Sequence, residues 1–369
     1  MKKFEIPTPA LVVDLPKLER NITEMAERAQ IAGLRLRPHI KTHKTPIIAQ
    51  MQIKAGAIGI ACAKLGEAEV MATAGIEDIF IAYPIVGTDK VERLLNLAIW
   101  VPRISTSVDT YAAMRVLNAA AIERGQRIDV VVEVEAGYRR TGVMSGEPLL
   151  AFVREIVTSL LGLRYKGLMY IAGGTGIHVE REKQEACEAA GARVGTEAAA
   201  MLRKNGIESE VISGGSTPGA QFMDGIEGIT EYRPGCYVFG DMKYADLGAH
   251  TREQMALTIL TTVVSVPEIS EPDHFVVDAG SKTLTHSTAT TTPGYGTFVQ
   301  YPSLSVATPS EEHGAVYLPK GFQPPPVGTK LDIYPNYVSD VVNLSDQLWV
   351  VNGDQVVAVW EIAARGKRV

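Results

Sequence analysis

The sequence predicts an α/β protein in which a (β/α)8 barrel of the TIM type is followed by a C-terminal all-β domain. From about Leu11 to Ala245, short apolar or β-branched runs alternate with amphipathic stretches, which is typical of βαβ units and a parallel sheet. After about Ala249, strand-like segments are separated by Pro, Gly, Ser and Thr clusters, which indicates an all-β domain. No GxGxxG turn follows the first strand, and this disfavours a Rossmann sheet.

Seven candidate strands and six candidate helices occupy the region up to Ala245. The strands are expected at 11–14, 34–38, 58–61, 78–83, 128–135, 165–172 and 209–215, and the helices at 15–31, 64–74, 87–99, 109–124, 147–161 and 180–204. The later strands are expected at 256–266, 274–280, 329–335, 347–353 and 355–362. We predict an N-terminal segment 1–13 that joins the β domain as a strand, a barrel 14–248 and a β domain 249–369.

The composition is that of an ordinary globular protein. Of 369 residues, 46% are hydrophobic and 21% are charged, which excludes a disordered or collagen-like chain. The net charge of −6 gives no indication of a nucleic-acid or anionic-membrane partner. No run approaches the roughly 20 apolar residues of a membrane span, and three scattered cysteines fit a reducing compartment. We therefore expect a soluble cytoplasmic protein.

A basic segment, residues 37–44, follows the candidate strand at 34–38 and contains Lys41 and Lys44 together with two histidines and an arginine. In (β/α)8 barrels, functional groups lie where strands end and βα loops begin. A lysine there can be a Schiff-base nucleophile, because neighbouring cations and dry surroundings favour its neutral amine. The alternatives are a solvated basic loop and a patch for an acidic ligand.

Three further segments adjoin candidate strand ends. Residues 213–217 read SGGST and form a plausible phosphate cradle, although a plain tight turn explains them as well. Residues 133–142 deliver two carboxylates and then two arginines, and an arginine there either donates to a cofactor or neutralises a carboxylate. Residues 231–237 add an arginine and a tyrosine, with a structural salt bridge as the alternative. A lysine, a phosphate cradle and an arginine at strand ends are together what a pyridoxal 5′-phosphate site requires.

Several motifs occur in a characteristic order: TPALVVDLPKLERNI, RPHIKTHK, VEVEAGYRRTGV, ISGGSTP, TEYRPGCYVFGD, VDAGSKTL and EEHG. In this order the chain resembles D-threonine aldolases and eukaryotic-type D-serine dehydratases, which are fold-type III pyridoxal phosphate enzymes like alanine racemase. The resemblance covers nearly the whole chain. It implies an alanine racemase-like fold, a small amino acid as substrate, and a homodimer in which the β domain of one subunit completes the partner's site.

When the functional residues of the family are mapped onto this sequence, the resemblance implies that Lys41 is the lysine of the internal aldimine, with Lys44 as the alternative. Arg140 would face the cofactor's O3′ or the substrate carboxylate, and Tyr170 would pack beside the pyridine ring. The phosphate would be held by the glycine turn with help from Tyr237. The residues of that turn are Gly214, Gly215, Ser216 and Thr217.

The metal motif of these relatives is altered in this chain. A PNHxC or PSHxD-type motif, followed by TVNL, supplies a divalent ion with its ligands. Residues 335–344 here read PNYVSDVVNL, so Tyr337 stands at the His position and Ser339 at the Cys or Asp position. A neutral phenol and a hydroxyl are poor substitutes for those ligands. We therefore predict that no family-type metal binds. Glu312 and His313 of the EEHG motif do not make a site by themselves.

The resemblance implies a pyridoxal phosphate-dependent lyase for a D-amino acid, with retro-aldol cleavage of a β-hydroxy-D-amino acid as the preferred reaction. In the metal-dependent relatives the ion binds the substrate's β-hydroxyl. Without that ion, Tyr337 or His313 is expected to act on this hydroxyl as the catalytic acid or base. The alternatives are β-elimination as in D-serine dehydratase, a metal-independent amino-acid racemase or epimerase, and cofactor binding without turnover.

Overall fold

The computed structural model describes residues 1–369 and contains two β-sheets with their helices. The strands are β1 (Ala10–Asp14), β2 (Arg35–Leu36), β3 (Ile60–Cys62), β4 (Asp78–Pro84), β5 (Arg103–Val108), β6 (Ile128–Glu133), β7 (Leu163–Met169), β8 (Val211–Gly214), β9 (Glu231–Tyr232), β10 (Leu257–Ser265), β11 (His274–Val277), β12 (Thr297–Phe298), β13 (Thr308–Pro309), β14 (Gly314–Tyr317), β15 (Lys330–Tyr334), β16 (Gln347–Asn352) and β17 (Gln355–Glu361).

The α-helices are α1 (Leu15–Ile31), α2 (Pro46–Lys54), α3 (Leu65–Thr73), α4 (Thr88–Leu97), α5 (Tyr111–Glu123), α6 (Glu147–Ser159), α7 (Arg181–Lys204), α8 (Met242–Asp246), α9 (Ser281–Leu284) and α10 (Val338–Val342). Short 3-10 helices span Lys3–Glu5, Gly219–Gly225, Cys236–Val238 and Arg252–Gln254. None of the helices combines the length and hydropathy that a membrane-spanning segment needs.

The chain divides into two compact units. The barrel unit comprises Thr23–Lys41, Pro46–Gly235 and Gly366–Val369, and the β unit comprises Met1–Ile22, Thr42–Thr45 and Cys236–Arg365. Residues 236–248 therefore belong to the β unit, whereas the sequence analysis assigns them to the barrel. The domain boundaries at 13/14 and 248/249 remain predictions from the change in sequence pattern.

The barrel unit is built on eight parallel strands, which confirms the predicted fold class. Their order is β2-β9-β8-β7-β6-β5-β4-β3. The two outer strands meet through backbone hydrogen bonds, since the N–H of Ile40 donates to the carbonyl of Ala61 at 2.9 Å and the N–H of Ala61 donates to that of Pro38 at 2.8 Å. The sheet thus closes on itself, and side chains such as Phe80 and Val131 fill its interior.

Where a helix was predicted, the observed helix matches the predicted amphipathic segment to within two residues at each end. Local signals explain several boundaries. The hydroxyl of Thr110 caps α5 by accepting from the N–H of Ala113 at 3.3 Å. Helix α6 has Gly146 at its N-cap position, and its first turn contains Glu147 and a proline. Strands β5 and β9 and helix α2 were not predicted.

The β unit is built on a nine-stranded sheet in which β1 lies near the centre. Strand β1 pairs antiparallel with β10, where Ala10 faces Leu260, and parallel with β16, where Val12 faces Trp349. The strand predicted at 11–14 therefore pairs outside the barrel. Its apolar side chains form a core with Ile6 and Val351. Through this pairing, the first strand of the chain belongs to the same sheet as the strands after residue 256.

Candidate functional site

The predicted site residues of the barrel unit follow the carboxyl ends of neighbouring strands. Lys41 follows β2, the glycine turn begins at the end of β8, Tyr170 follows β7 and Arg140 lies in the loop after β6. Strands β2, β9, β8, β7 and β6 are consecutive in the sheet. Their loops therefore emerge side by side at the end of a parallel barrel where functional groups are normally placed.

Lys41 is a solvent-exposed side chain in the turn after β2. Its backbone N–H donates to Nδ1 of His39 at 3.4 Å, and His39 forms a β-bridge to Ala61. Lys44 differs in its surroundings, because it is buried and belongs to the β unit, where its carbonyl accepts from the N–H of Ala364 at 3.0 Å. This placement favours Lys41 over Lys44 as an accessible amine.

Two buried tyrosines lie directly behind the glycine turn. A Cβ added at Gly214 would be 2.2 Å from Cζ of Tyr170, and one added at Gly215 would be 2.2 Å from Cζ of Tyr232. The backbone of Gly215 also has φ +90, a conformation that residues other than glycine rarely adopt. Only glycine fits both positions. Such a turn brings backbone N–H groups close to a bound anion.

The two hydroxyls of the turn tie it to its neighbours. Oγ of Ser216 accepts from the N–H of Gly219 at 3.1 Å, and Oγ1 of Thr217 accepts from the N–H of Gly235 at 3.2 Å. Each hydroxyl keeps its own proton for a further hydrogen bond. The turn is therefore held in place at both hydroxyls while it can still donate to an oxygen-rich ligand.

Tyr170 lies behind this turn with its ring fully buried. Cβ atoms added at Gly191 and Gly195 of α7 would be 3.4 Å and 2.8 Å from the ring, so these glycines make room for it. Its hydroxyl has no hydrogen-bond partner, and burial raises the pKa of the phenol. The predicted packing of Tyr170 beside a pyridine ring remains a prediction, and this placement does not support it.

Arg233 is a buried cation that sequence reasoning noticed but did not select. It follows β9 and donates to the carbonyl of Tyr170 at 3.2 Å and to Oγ of Ser213. Ser213 donates to Glu231 at 2.5 Å, and Glu231 also accepts from Nε of Arg37 at 3.1 Å. Burial lowers the pKa of Arg233, and neighbouring carboxylates oppose this shift. The segment 231–237 thus supplies a fixed guanidinium beside the turn-bearing strand.

The loop after β6 carries a second cation. Glu133 is the last residue of β6. Burial raises the pKa of its carboxyl, whereas a hydrogen bond from Thr141 and the charge of Arg140 lower it. Arg140 is exposed, and its guanidinium lies 4.6 Å from the centroid of the Tyr138 ring. Arg140 is therefore an accessible charge at a strand end, in the field of a buried carboxyl group.

Ser339 of the β unit belongs to a small group of hydroxyl and thiol side chains. Its Oγ donates to Oγ1 of Thr42 at 3.1 Å, and both oxygens lie 3.4 Å from Sγ of Cys236. No group of three or more His, Cys, Asp or Glu side chains is arranged to hold a metal ion. Of these three side chains only the cysteine is a usual ligand of divalent ions, and the two hydroxyls are not.

Tyr337 precedes α10 and packs against Tyr244 in an edge-to-face arrangement with centroids 6.1 Å apart. Nζ of Lys243 lies 5.2 Å from the centroid of the Tyr337 ring. The proximity of Cys236 and burial raise the pKa of the Tyr337 phenol. The phenol therefore stays protonated at neutral pH.

Asp241 fixes the two segments that carry these tyrosines. Its Oδ1 accepts from the N–H of Tyr244 at 2.9 Å and its Oδ2 from the N–H of Val338 at 3.1 Å, so one carboxyl group caps both α8 and α10. It is completely buried, and burial raises its pKa to about 7. Sequence reasoning missed this residue, because its partners are far apart along the chain.

The other predicted residues of the β unit lie apart from this group. His313 is exposed between β13 and β14, and its carbonyl accepts from the N–H of Ser310 at 2.9 Å. The ring contacts of Tyr337 involve Tyr244 and Lys243 rather than His313. Tyr237 is buried in the 3-10 helix Cys236–Val238. The structure therefore groups Tyr337 with Ser339 and places His313 elsewhere in the unit.

The amino ends of the barrel strands enclose a cavity of about 360 Å³. Its charged lining is largely paired: Arg37 contacts Asp78 at 2.5 Å, and Nε of Arg103 donates to the same carboxylate at 3.0 Å. Arg164 and Asp129 form another pair. These ion pairs account for the polarity of the cavity and stabilise the end of the barrel opposite to Lys41.

Two family models match consecutive parts of the chain. The model described as alanine racemase, N-terminal domain, matches residues 13–243, and the one described as putative serine dehydratase domain matches residues 256–351. Together they extend across the barrel and most of the later strands.

Individual relatives match over almost the full length. A D-threonine aldolase of Arthrobacter sp is 36% identical over 98% of this chain and 93% of that protein. A D-threo-3-hydroxyaspartate dehydratase of Delftia sp. (strain HT23) is 31% identical over 96% of this chain and 97% of that protein. The crystal structure of D-threonine aldolase from Filomicrobium marinum matches with a TM-score of 0.91 and 33% identity, covering 99% of this chain and 98% of that one.

Proposed function

The chain belongs to the alanine racemase-like family that contains D-threonine aldolases and D-threo-3-hydroxyaspartate dehydratases, and from this premise we propose that it is a pyridoxal 5′-phosphate-dependent lyase for a β-hydroxy-D-amino acid. Retro-aldol cleavage is the preferred reaction, since the Arthrobacter D-threonine aldolase is 36% identical. The observation that carries the proposal is the order of three strand ends. An accessible lysine, a buried arginine and a glycine turn follow the adjacent strands β2, β9 and β8.

The residues at these strand ends fit pyridoxal phosphate. A Cβ at Gly214 or Gly215 would collide with the tyrosine ring behind the turn, so only bare backbone fits there, and Ser216 and Thr217 add hydroxyl donors. Bound there, the cofactor would supply an electron sink for the negative charge left when a bond to the substrate's Cα breaks. We assign the phosphate to this turn, with Tyr237 as a further candidate ligand.

Lys41 is the residue assigned to covalent attachment of the cofactor. Its exposure in the turn after β2 leaves the amine accessible for this bond. Arg140 and Arg233 supply the positive charge that an anionic substrate and cofactor need. Arg233 is fixed by Ser213 and Glu231, while Arg140 is exposed and free to adjust to a substrate carboxylate.

Tyr337 is the residue assigned to the substrate's β-hydroxyl. Its phenol stays protonated, so it donates a hydrogen bond to that oxygen and assists its departure as water in β-elimination. In retro-aldol cleavage the β-hydroxyl must lose its proton as the carbon–carbon bond breaks, so there the phenol holds the oxygen in place and the proton passes to solvent. Ser339 lies next to the Tyr337 phenol, and its hydroxyl opposes the rise of the Tyr337 pKa. We propose that this pair replaces the divalent ion of metal-dependent relatives, because its oxygens are poor metal ligands.

The remaining expectations follow from family membership and composition. We propose a homodimer in which the β domain completes the partner's site, and a cytoplasmic location in keeping with the three scattered cysteines. Size measurement of the purified protein by light scattering tests the first of these, and a monomer at micromolar concentration would contradict it.

The experiment for the proposed function has two parts. Purified protein reconstituted with pyridoxal phosphate is expected to show the visible absorption of a lysine-bound cofactor, and Lys41→Ala is expected to lose it while Lys44→Ala retains it. D-threonine and D-threo-3-hydroxyaspartate are then supplied, and aldehyde, keto acid and Cα deuterium are measured separately. Aldehyde together with glycine indicates the aldolase, keto acid together with ammonia the dehydratase, and Cα exchange with formation of the Cα epimer but without these products the racemase or epimerase. Unchanged absorption in Lys41→Ala would refute the site assignment.

A further inference from the structure

A carboxyl group lies behind the glycine turn, where an anion-binding site would ordinarily have none. Glu188 of α7 is fully buried. A Cβ added at Gly219, three residues after Ser216, would be 2.4 Å from its Oε2 and 2.5 Å from the hydroxyl of Tyr232. The carboxyl group is therefore in contact with the first residue of the 3-10 helix that follows the turn.

Two neutral hydroxyls hold this carboxyl group. Tyr232 donates to Oε1 at 2.7 Å and Thr175 to Oε2 at 2.9 Å. Tyr232 in turn fills the space behind Gly215. Glu188 thus holds the Tyr232 ring against which the turn packs. A change in the charge of Glu188 therefore affects the turn through the position of this ring and through the electric field at the turn.

From this arrangement, and on the premise of the proposed function, we infer that Glu188 is a positioning residue that must be neutral when an anion occupies the turn. A charged carboxylate so close behind a bound dianion repels it in surroundings of low dielectric constant. When an anion binds to protein whose Glu188 is ionised, the carboxylate takes up one proton from solvent. The contact with Thr175 survives this change, because the new carboxyl O–H donates to Oγ1 and reverses the bond.

The surroundings of Glu188 agree with this inference. Burial raises the pKa of the Glu188 carboxyl from its usual value, and the hydrogen bonds from Tyr232 and Thr175 oppose this rise. The titratable groups packed around it are the phenols of Tyr232 and Tyr170, and burial raises the pKa of both. Cys187 precedes Glu188 on α7. The sulfur of Cys187 and the ring of His178 are both close to Gly174, since a Cβ added there would lie 2.8 Å from the sulfur and 3.5 Å from the ring. The nearby cation is Arg233, which donates to the backbone carbonyl of Tyr170 at 3.2 Å.

The test measures binding of an anion that does not itself titrate. Sulfate is used as a competitor for pyridoxal phosphate on the apoprotein, and its dissociation constant is measured by calorimetry and by the shift in melting temperature between mildly acidic and mildly basic pH. Wild type is expected to lose affinity tenfold or more as pH rises, with proton uptake visible as a dependence of the binding heat on the buffer. Glu188→Gln keeps both hydrogen bonds and is expected to bind sulfate tightly at all these pH values.

A second variant guards against misfolding of Glu188→Gln. Thr175→Val removes one donor that stabilises the carboxylate, so the loss of sulfate affinity is expected to move to higher pH. His178→Asn is the control for the nearby imidazole and is expected to leave the profile in place. Identical pH profiles in wild type and Glu188→Gln would overturn the inference while leaving the proposed function intact. Failure of the apoprotein to bind sulfate or pyridoxal phosphate at any pH would instead count against the proposed function.

Discussion

The ring of Tyr232 occupies the space that a side chain at Gly215 would need, since a Cβ there would lie 2.2 to 2.4 Å from three ring atoms. Because φ of Gly215 is +90, an alanine also meets backbone strain. We expect Gly215→Ala to lower the free energy of unfolding by about 3 kcal/mol and to weaken pyridoxal phosphate binding at least tenfold. Urea unfolding and fluorescence titration measure the two effects.

Gly206 provides a matched control for this substitution. It also has a positive φ, +79, but a Cβ there meets nothing within 4 Å. Gly206→Ala is expected to cost only the backbone strain, about 1 kcal/mol, with no change in cofactor affinity. Equal losses in the two variants would show that the Tyr232 contact is unimportant.

Tyr337 is expected to contribute to turnover through its hydroxyl alone. Tyr337→Phe keeps the ring contact with Tyr244 but removes the donor, so we expect kcat to fall about 100-fold with little change in cofactor affinity. Stopped-flow and steady-state kinetics with D-threonine measure the change. Tyr317→Phe, at an exposed tyrosine, is the control. Full activity in Tyr337→Phe would remove this residue from the mechanism.

The altered motif at residues 335–344 predicts that a chelator leaves the wild-type enzyme active. Replacing Tyr337 by His and Ser339 by Asp restores a ligand pair suited to zinc or manganese. The double variant Tyr337→His/Ser339→Asp is expected to lose activity on chelation and regain it with added Mn²⁺, whereas Ser339→Asp alone is not. Turnover with and without chelator is the measurement. Chelator-sensitive wild type would mean that other residues bind an ion.

Much of the fold was predictable because its elements carry strong local patterns. Helix α1 occupies the predicted residues 15–31, and the late strands follow their apolar runs closely. Strand β5 was missed because its sequence, RISTSV, contains buried Thr106 and Ser107 where apolar residues are usual. Strand β9 has only two residues, too few for any periodicity.

The candidate site was predictable only where its residues are neighbours in sequence. The glycine turn and the basic segment 37–44 could be recognised because each is continuous. Glu188 and Asp241 could not, because their roles depend on partners 44 and 97 residues away, Tyr232 and Val338. A buried acid on a helix has no local signature that distinguishes it from a solvated one. Only the packing of distant segments reveals such positions.

Asp241 predicts a pH dependence of stability. Because its pKa in the folded protein is about 7, above the usual 3.8, protonation favours the folded state. This contribution is fully present below about pH 4 and is lost as pH rises through about 7. Between about pH 5 and about pH 8, the free energy of unfolding of wild type is therefore expected to fall by about 3 kcal/mol relative to that of Asp241→Asn. Urea denaturation at several pH values measures the difference.

The comparison with Asp241→Asn isolates this residue from its surroundings. Asparagine still accepts from one of the two N–H groups, so the loss of the second bond is a constant offset that does not vary with pH. Burial lowers the pKa of His250, whose ring contacts the Asp241 backbone, and this gives a slope of opposite sign that both proteins share. Parallel curves for the two proteins would show that Asp241 does not titrate in this range, and that its carboxylate remains charged while it caps α8 and α10.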